Sequence, residues 1–138
     1  MSRRAYPTIF TPVEDMILVE VPDMEIITQG ETYPEAIGMA RDAIGLMGIT
    51  MEDSGENIPE PSDISQIEAN KGAFAEEGKG YISFVDIDFL EYRRKVDNKM
   101  VRRNVTLPNW LNQEAERAHL NVSKVLQEAL KAKLGVDR

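Results

Sequence analysis

The chain has 138 residues, of which 42% are apolar, so it can hold one domain or two small ones with cores of their own. It has no cysteine, which excludes disulfides and thiolate metal sites and suits a reducing, cytoplasmic environment. No apolar run approaches the length of a membrane span, and no apolar stretch follows the basic residues Arg3 and Arg4. We therefore predict neither a membrane protein nor a secretory signal.

The net charge of −8 is unevenly distributed along the chain. Residues 1–95 contain 8 basic and 19 acidic residues, a net charge of −11, whereas residues 96–138 contain 8 basic and 5 acidic residues, a net charge of +3. An acidic region repels nucleic acid and attracts a basic partner, while a mildly basic region can approach phosphate. Acidic surfaces can also serve solubility alone, but the change of sign near residue 95 weakens that alternative.

Four strands are predicted upstream of residue 90. Runs of apolar or large residues, bounded by turn residues, indicate them over 4–11, 16–21, 25–28 and 81–89. The last run slips in phase between Ile82 and Phe89, which predicts a β-bulge or burial on both faces.

One helix is predicted between the third and fourth strands. Thr32 and Glu35 have the spacing of a capping box, and Pro34 lies in the first turn, where its missing N–H costs nothing. Apolar residues then recur at helical spacing from Ala36 to Met47, as a stripe that should pack on the sheet. We predict an α+β domain of order β-β-β-α-β, followed over 91–100 by a charged linker, with the domain boundary near residue 95.

The segment 101–107 predicts one more strand, of alternating character. Period two puts Arg102, Asn104 and Thr106 on one face and leaves Val105 and Leu107 on the other. Arginine can pair with guanine, asparagine with adenine, and threonine with base edges or the thymine methyl group. A polar strand face is usually just solvated, so the interpretation as a DNA-reading face depends on the elements after this strand.

Two short helices are predicted after this strand. Pro108 opens the first at a position where proline is tolerated, Asn121 caps the second, and Gly135 ends it. A strand–helix–helix unit of this size cannot bury its own apolar faces, which predicts an intertwined dimer whose strands form a two-stranded ribbon for the DNA major groove. The predicted dimer core consists of Val105, Leu107, Trp110, Leu111, Val125, Leu126 and Leu130.

The start of the second helix is a predicted phosphate site. Free N–H groups and the helix dipole favour an anion there, and the side chain of Lys124 adds positive charge. The predicted phosphate-binding residues are Asn121, Val122, Ser123 and Lys124, the last three through their amides.

Residues 101–135 resemble a ribbon-helix-helix domain, and the motifs upstream resemble the HicB antitoxins of HicA–HicB toxin–antitoxin systems. The similarity covers nearly the whole chain. It is carried by Tyr6-Pro7, Val21-Pro22-Asp23, Thr28-Gln29-Gly30-Glu31-Thr32 with Glu35-Ala36, and Ile58-Pro59-Glu60-Pro61-Ser62.

The resemblance implies a function for each part of the chain. For 1–95 it implies a partial RNase-H-like domain that binds and masks a HicA-type toxin, a small basic ribonuclease that cleaves mRNA through a histidine. For 96–138 it implies a linker and a ribbon-helix-helix domain that binds operator DNA as a homodimer and represses its own operon. Pairing of dimers into a tetramer stays open. In the family pattern the groove-reading residues fall on Arg102, Asn104 and Thr106.

Enzymatic function is not predicted. An RNase-H-like nuclease needs carboxylates that converge on Mg²⁺; Asp86 and Asp88 lie on one face of the last predicted strand, and Asp23 ends the second. The first strand, however, has no carboxylate where RNase-H enzymes of this type carry an essential one, so we interpret these three as solvated or toxin-facing. The single histidine, His119, is interpreted as a turn residue, since a left-handed turn position tolerates it. No catalytic residue, metal or cofactor is predicted.

An alternative is a ribbon-helix-helix repressor whose N-terminal domain senses a small molecule. No Gly-rich phosphate loop or cation-binding aromatic cluster supports it, but the sequence does not exclude it. Gene context discriminates the two, because a neighbouring gene for a short basic protein favours the antitoxin.

Overall fold

The structure is a computed structural model that describes residues 3–97 and 99–136. The chain forms two compact units, divided in sequence between Lys99 and Met100, four residues after the boundary expected near residue 95. The larger unit contains an antiparallel sheet and two helices, and the smaller unit contains two helices. No helix within 3–97 or 99–136 is both long enough and apolar enough to cross a membrane.

The sheet of the larger unit has four strands, which confirm the four predicted ones within two residues at each end. They are β1 (Arg3–Pro12), β2 (Ile17–Val21), β3 (Ile26–Gly30) and β4 (Tyr81–Asp88). Their order is β3-β2-β1-β4, and every neighbouring pair is antiparallel.

The phase slip in β4 does not come from a bulge. β1 and β4 pair without interruption along the whole of β4, so the predicted bulge is wrong. Burial on both faces, the other alternative, holds in part. Val85 is buried on the helix side of the sheet; on the other side Ile82 is half-buried opposite the buried Ile9, whereas Phe84 is 52% exposed.

The core lies between one face of the sheet and helix α1 (Tyr33–Asp53). The predicted capping residues are in place, because Thr32 Oγ1 accepts a hydrogen bond from the Glu35 amide at 3.3 Å and thereby satisfies a free donor of the first turn. A side chain at Gly30 would collide with the backbone of Ala36, so glycine allows β3 and α1 to pack closely. The fully buried residues of this core are Tyr6, Val19, Val21, Ala36, Ala40, Ile44 and Val85.

A second helix, α2 (Phe89–Val96), occupies most of the segment that was predicted as a linker, and that prediction is wrong for 91–96. Asp88 caps the helix by accepting a hydrogen bond from the Glu91 amide. Phe89 and Tyr92 pack over glycines of α1, and Arg93 bonds to Glu52 Oε1 at 2.9 Å. Phe89 and Tyr92, three positions apart, form the apolar face that packs on α1. The helix has only eight residues, and Phe89 was assigned to the preceding strand, so this short stripe was missed.

The smaller unit contains α3 (Asn109–Arg117) and α4 (Val122–Leu134). Pro108 lies one position before α3, as its N-cap, rather than at the predicted first position inside it. His119 has a φ of 56°, which confirms its interpretation as a left-handed turn residue between the helices. Gly135 adopts a φ of 73° at the end of α4 and confirms the predicted C-cap. The predicted strand at 101–107 lies outside any helix or strand in this single described chain.

Candidate functional site

The most unusual surface of the smaller unit is apolar. None of its described residues is fully buried, and only Ala115, Leu126 and Val136 are half-buried. Trp110, the largest side chain of the unit, is 66% exposed. Five of the other residues predicted as dimer core are exposed as well, namely Val105, Leu107, Leu111, Val125 and Leu130, whereas Leu126 is half-buried. In other proteins an apolar surface of this extent is typical of an interaction site.

Three polar side chains lie beside this surface. Arg102, Asn104 and Thr106 are exposed and alternate with the apolar residues Val105 and Leu107. Within the described part of the chain these three side chains have no hydrogen-bond partner, so their donors and acceptors are available to a ligand. A second strand, which a single chain does not supply, is what would turn this segment into a ribbon.

The N-terminus of α4 differs in one detail from the predicted phosphate site. Asn121 Oδ1 accepts a hydrogen bond from the amide of Lys124 at 3.1 Å, so that amide is already occupied. The prediction that Lys124 offers its amide to phosphate is therefore wrong in this conformation. The amides of Val122 and Ser123 are the first two of the helix, which have no acceptor within it.

The carboxylates considered for metal chemistry in the larger unit serve as structural anchors. The Asp23 carboxylate accepts a hydrogen bond from the Ser62 amide at 2.8 Å and fixes the loop between α1 and β4. Asp86 pairs with Arg41 at 2.9 Å and with Arg3 at 3.0 Å. The hydrogen bond from Arg41 is the main cause that lowers the pKa of the Asp86 carboxyl. Among the described residues no group of His, Cys, Asp and Glu side chains has an arrangement that could hold a metal ion.

The larger unit also has a groove of about 650 Å³ between β4, α1 and α2. Seven of the eleven residues that line it are charged, and the lining includes the Arg3–Asp86–Arg41 ion-pair group and the hydrogen bond between Tyr92 and Asp42. These side chains bond to one another, so few polar groups remain to orient a small ligand.

Comparison with known proteins gives a consistent result. The family model described as the HicB-like antitoxin of bacterial toxin–antitoxin systems matches residues 6–130. None of the curated proteins matches the sequence. A chain of a toxin–antitoxin complex from Streptococcus pneumoniae is similar in structure, with a TM-score of 0.59 and 25% sequence identity over 95% of this chain and 99% of that chain.

A second solved structure supports the fold alone. The antitoxin HicB of Burkholderia pseudomallei is similar with a TM-score of 0.52 and 22% identity, over 98% of this chain and 99% of that chain.

Proteins of the antitoxin family are not generally enzymes, in agreement with the structural use of Asp23 and Asp86. Because the family model spans most of the sequence and both units of the fold, this chain belongs to the HicB-like antitoxin family.

Proposed function

We propose that the larger unit binds and neutralises a small, basic HicA-type ribonuclease that cleaves mRNA. Membership of the antitoxin family supports an antitoxin role, and one similar solved structure is a toxin–antitoxin complex. The net charge of −11 over residues 1–95 adds a physical argument, because an acidic surface attracts a basic partner and speeds its association. In this proposal the larger unit is a partial RNase-H-like scaffold whose Asp23 and Asp86 make structural contacts instead of holding a metal.

The smaller unit, in the same proposal, is a ribbon-helix-helix dimer that represses its own operon. The observation that carries this part is the exposure of the apolar side chains from Val105 to Leu130 in a single chain. Two chains that intertwine bury these faces together, and their 101–107 segments pair as an antiparallel ribbon. Arg102, Asn104 and Thr106 then face the major groove, while the amides of Val122 and Ser123 and the side chain of Lys124 meet phosphates.

Partner capture tests the toxin proposal. The tagged full chain is expressed in its native host, and the proteins that co-purify are identified by mass spectrometry. We expect one small basic protein to co-purify. Expression of that protein alone should arrest cell growth, and co-expression of the full chain should relieve the arrest. A full chain that is folded but neither captures such a protein nor relieves the arrest contradicts the proposal.

The alternative of a small-molecule sensor rests on the groove of about 650 Å³, a volume within the usual range of ligand sites. Its charged and internally paired lining argues against it. Operator binding that depends on an added metabolite but not on the captured protein would favour the sensor. Operator binding that responds to the captured protein favours the antitoxin.

A further inference from the structure

Three loops of the larger unit converge at one end of the sheet. Pro12 and Ile17 pair across the β1–β2 turn, and Ile17 also pairs with Gly30, which precedes the loop into α1. The segment before β4 joins them, since a Cβ atom at Gly78 would lie 3.2 Å from the carbonyl oxygen of Pro12. Residues that are far apart in sequence therefore share this end of the sheet.

An aromatic patch lies at this end and consists of Phe10, Tyr33 and Tyr81. The ring centroids of Phe10 and Tyr33 are 6.3 Å apart. Phe10 is paired with Tyr81 across β1 and β4, which directs both side chains to the same face of the sheet. Phe10 is buried, but Tyr33 is 46% and Tyr81 is 52% exposed, so two tyrosine rings face solvent on either side of a buried phenylalanine.

The same end carries an acidic rim, which consists of Glu14, Asp15, Glu31, Glu76 and Glu77. All five are exposed, and none has an ion-pair partner within residues 3–97 and 99–136. They lie in the three converging loops. One lysine, Lys79, is close by, and its Nζ atom lies 5.3 Å from the centroid of the Tyr81 ring. A tyrosine ring of the patch thus already has a cation over its face.

The opposite part of the larger unit shows the contrast. There Glu52 and Asp53 pair with Arg93, and Asp86 pairs with Arg3 and Arg41. These arginines compensate much of the acidic charge away from the aromatic patch. The uncompensated carboxylates of the rim therefore strengthen the negative field around the two exposed tyrosines.

We propose that the aromatic patch and its acidic rim form the surface on which the basic toxin docks, an inference that rests on the proposed function. Tyrosines supply large, stiff contact area at the centre of protein interfaces, and they attract arginine and lysine side chains. The surrounding carboxylates steer a basic partner to this end of the sheet and pair with its rim. Charge complementarity thus selects a basic protein as the occupant.

Other exposed apolar residues of the larger unit fit this role less well. Ile27 and Phe84 are exposed on the other face of the sheet, but they lie on β3 and β4, the two outer strands, with β1 and β2 between them. Met39 and Leu46 lie on α1, two helical turns apart, and the nearby Asp42 already bonds to Tyr92. Neither set combines touching aromatic rings with uncompensated acidic charge.

The test measures binding of the captured basic protein to the full chain by surface plasmon resonance at two salt concentrations. One variant combines Tyr33→Ala with Tyr81→Ala, and another neutralises the rim with Glu14→Gln, Asp15→Asn, Glu31→Gln, Glu76→Gln and Glu77→Gln. The matched control combines Leu46→Ala, an exposed apolar residue, with Glu56→Gln, an exposed carboxylate beyond the far end of α1. Circular dichroism and thermal melting establish that each variant is folded.

We expect the double tyrosine variant to raise Kd by about 30-fold or more, as loss of an interface hot spot does. Rim neutralisation should slow association by about tenfold at low salt and flatten its salt dependence, while the control binds as the unmodified chain does. If both variants bind the basic protein as tightly and as fast as the unmodified chain does, the toxin docks elsewhere and the antitoxin role stands. If the folded, unmodified chain does not bind the basic protein at all, both the docking surface and the proposed function are wrong.

Discussion

The hydroxyl of Tyr92 donates a hydrogen bond to Asp42 Oδ1 at 2.8 Å, across fifty positions of sequence. The Tyr92 ring packs on Gly45, where an added Cβ atom would lie 2.5 Å from the ring. Together with the ion pairs of Arg93 to Glu52 and Asp53, this contact fixes α2 on α1. The last element of the larger unit is therefore anchored just before the chain enters the smaller unit.

The Tyr92 contact predicts a pH-dependent stability. Burial, followed by the hydrogen bond to Asp42, raises the pKa of Tyr92 from 10.0 to about 12. The folded chain therefore keeps this proton at pH values where the unfolded chain has lost it, so the contribution of the contact is complete below pH 10 and is lost between pH 10 and 12. We expect the difference in free energy of unfolding between the unmodified chain and Tyr92→Phe to shrink over that window.

Chemical unfolding between pH 8 and pH 12, followed by circular dichroism, measures this difference. Tyr6 also has its pKa raised by burial and contributes in the same direction, so Tyr92→Phe should reduce the alkaline loss of stability without removing it. Tyr81→Phe, which removes an exposed hydroxyl group, serves as the control. A stability difference for Tyr92→Phe that stays constant to pH 12 would show that the folded chain does not raise the pKa of Tyr92, and would contradict the buried contact with Asp42.

Replacing two glycines of α1 by alanine should change the stability of the chain in opposite directions. A Cβ atom at Gly48 would collide with the Phe89 ring, so Gly48→Ala should lower the free energy of unfolding by about 1 kcal/mol, the net of overpacking and improved helix propensity. At Gly38 nothing lies within 4 Å of the added atom, and Gly38→Ala should raise the free energy of unfolding by about 0.5–1 kcal/mol. Denaturant unfolding of both variants measures the two changes. Stabilisation by Gly48→Ala would mean that α2 does not pack on α1 as described.

The packing of α2 on the glycines of α1 also explains what the sequence could and could not predict. Strands β1 to β4 followed from runs of apolar residues, and the start of α1 followed from Thr32 and Glu35, because these signals are local. Helix α2 was missed because it has only eight residues and its first residue, Phe89, was assigned to the preceding strand. Its apolar face is completed by contacts that are far apart in sequence, such as Tyr92 over Gly45 and Arg93 beside Glu52.

The proposed binding surfaces also differ in how far they could be predicted from local sequence. The aromatic patch combines Phe10, Tyr33 and Tyr81 from three elements, so only the strand register and the start of α1 bring it together. In the smaller unit, the N-cap at Asn121 and the turn at His119 were predictable, because each depends on a few neighbouring residues. The ribbon that the sequence predicts at 101–107 needs a second chain, so it stays a prediction that a single chain does not test.

Dimerisation should depend on Leu126, which is half-buried in a single chain and lies among the exposed apolar residues of α4. If a second chain completes its burial, Leu126→Ala should cost about 2–5 kcal/mol and shift the full chain from dimer to monomer. Analytical ultracentrifugation over a range of protein concentrations measures the shift. Gln127→Ala, which changes an exposed polar neighbour, is the matched control. An unmodified full chain that is a stable monomer at high concentration would contradict the intertwined dimer.

The last prediction separates base reading from phosphate binding. Asn104 is exposed and unbonded within the described chain, and on a paired ribbon it can bond to adenine. Asn104→Ala should therefore weaken operator binding by about 1–3 kcal/mol per lost base contact and relax the preference at particular positions. Gel shifts with the native promoter and with single-base operator variants measure both effects.

Lys124→Ala should behave differently, because its amide is held by Asn121 and only its side chain can reach phosphate. Its loss should weaken binding to all sequences alike and reduce the salt dependence of binding, since phosphate contacts carry no base information. Lys131→Ala, which removes an exposed lysine near the other end of α4, is the control for net charge. If Asn104→Ala keeps full affinity and unchanged base preference, the ribbon does not read the operator, and the smaller unit serves dimerisation alone.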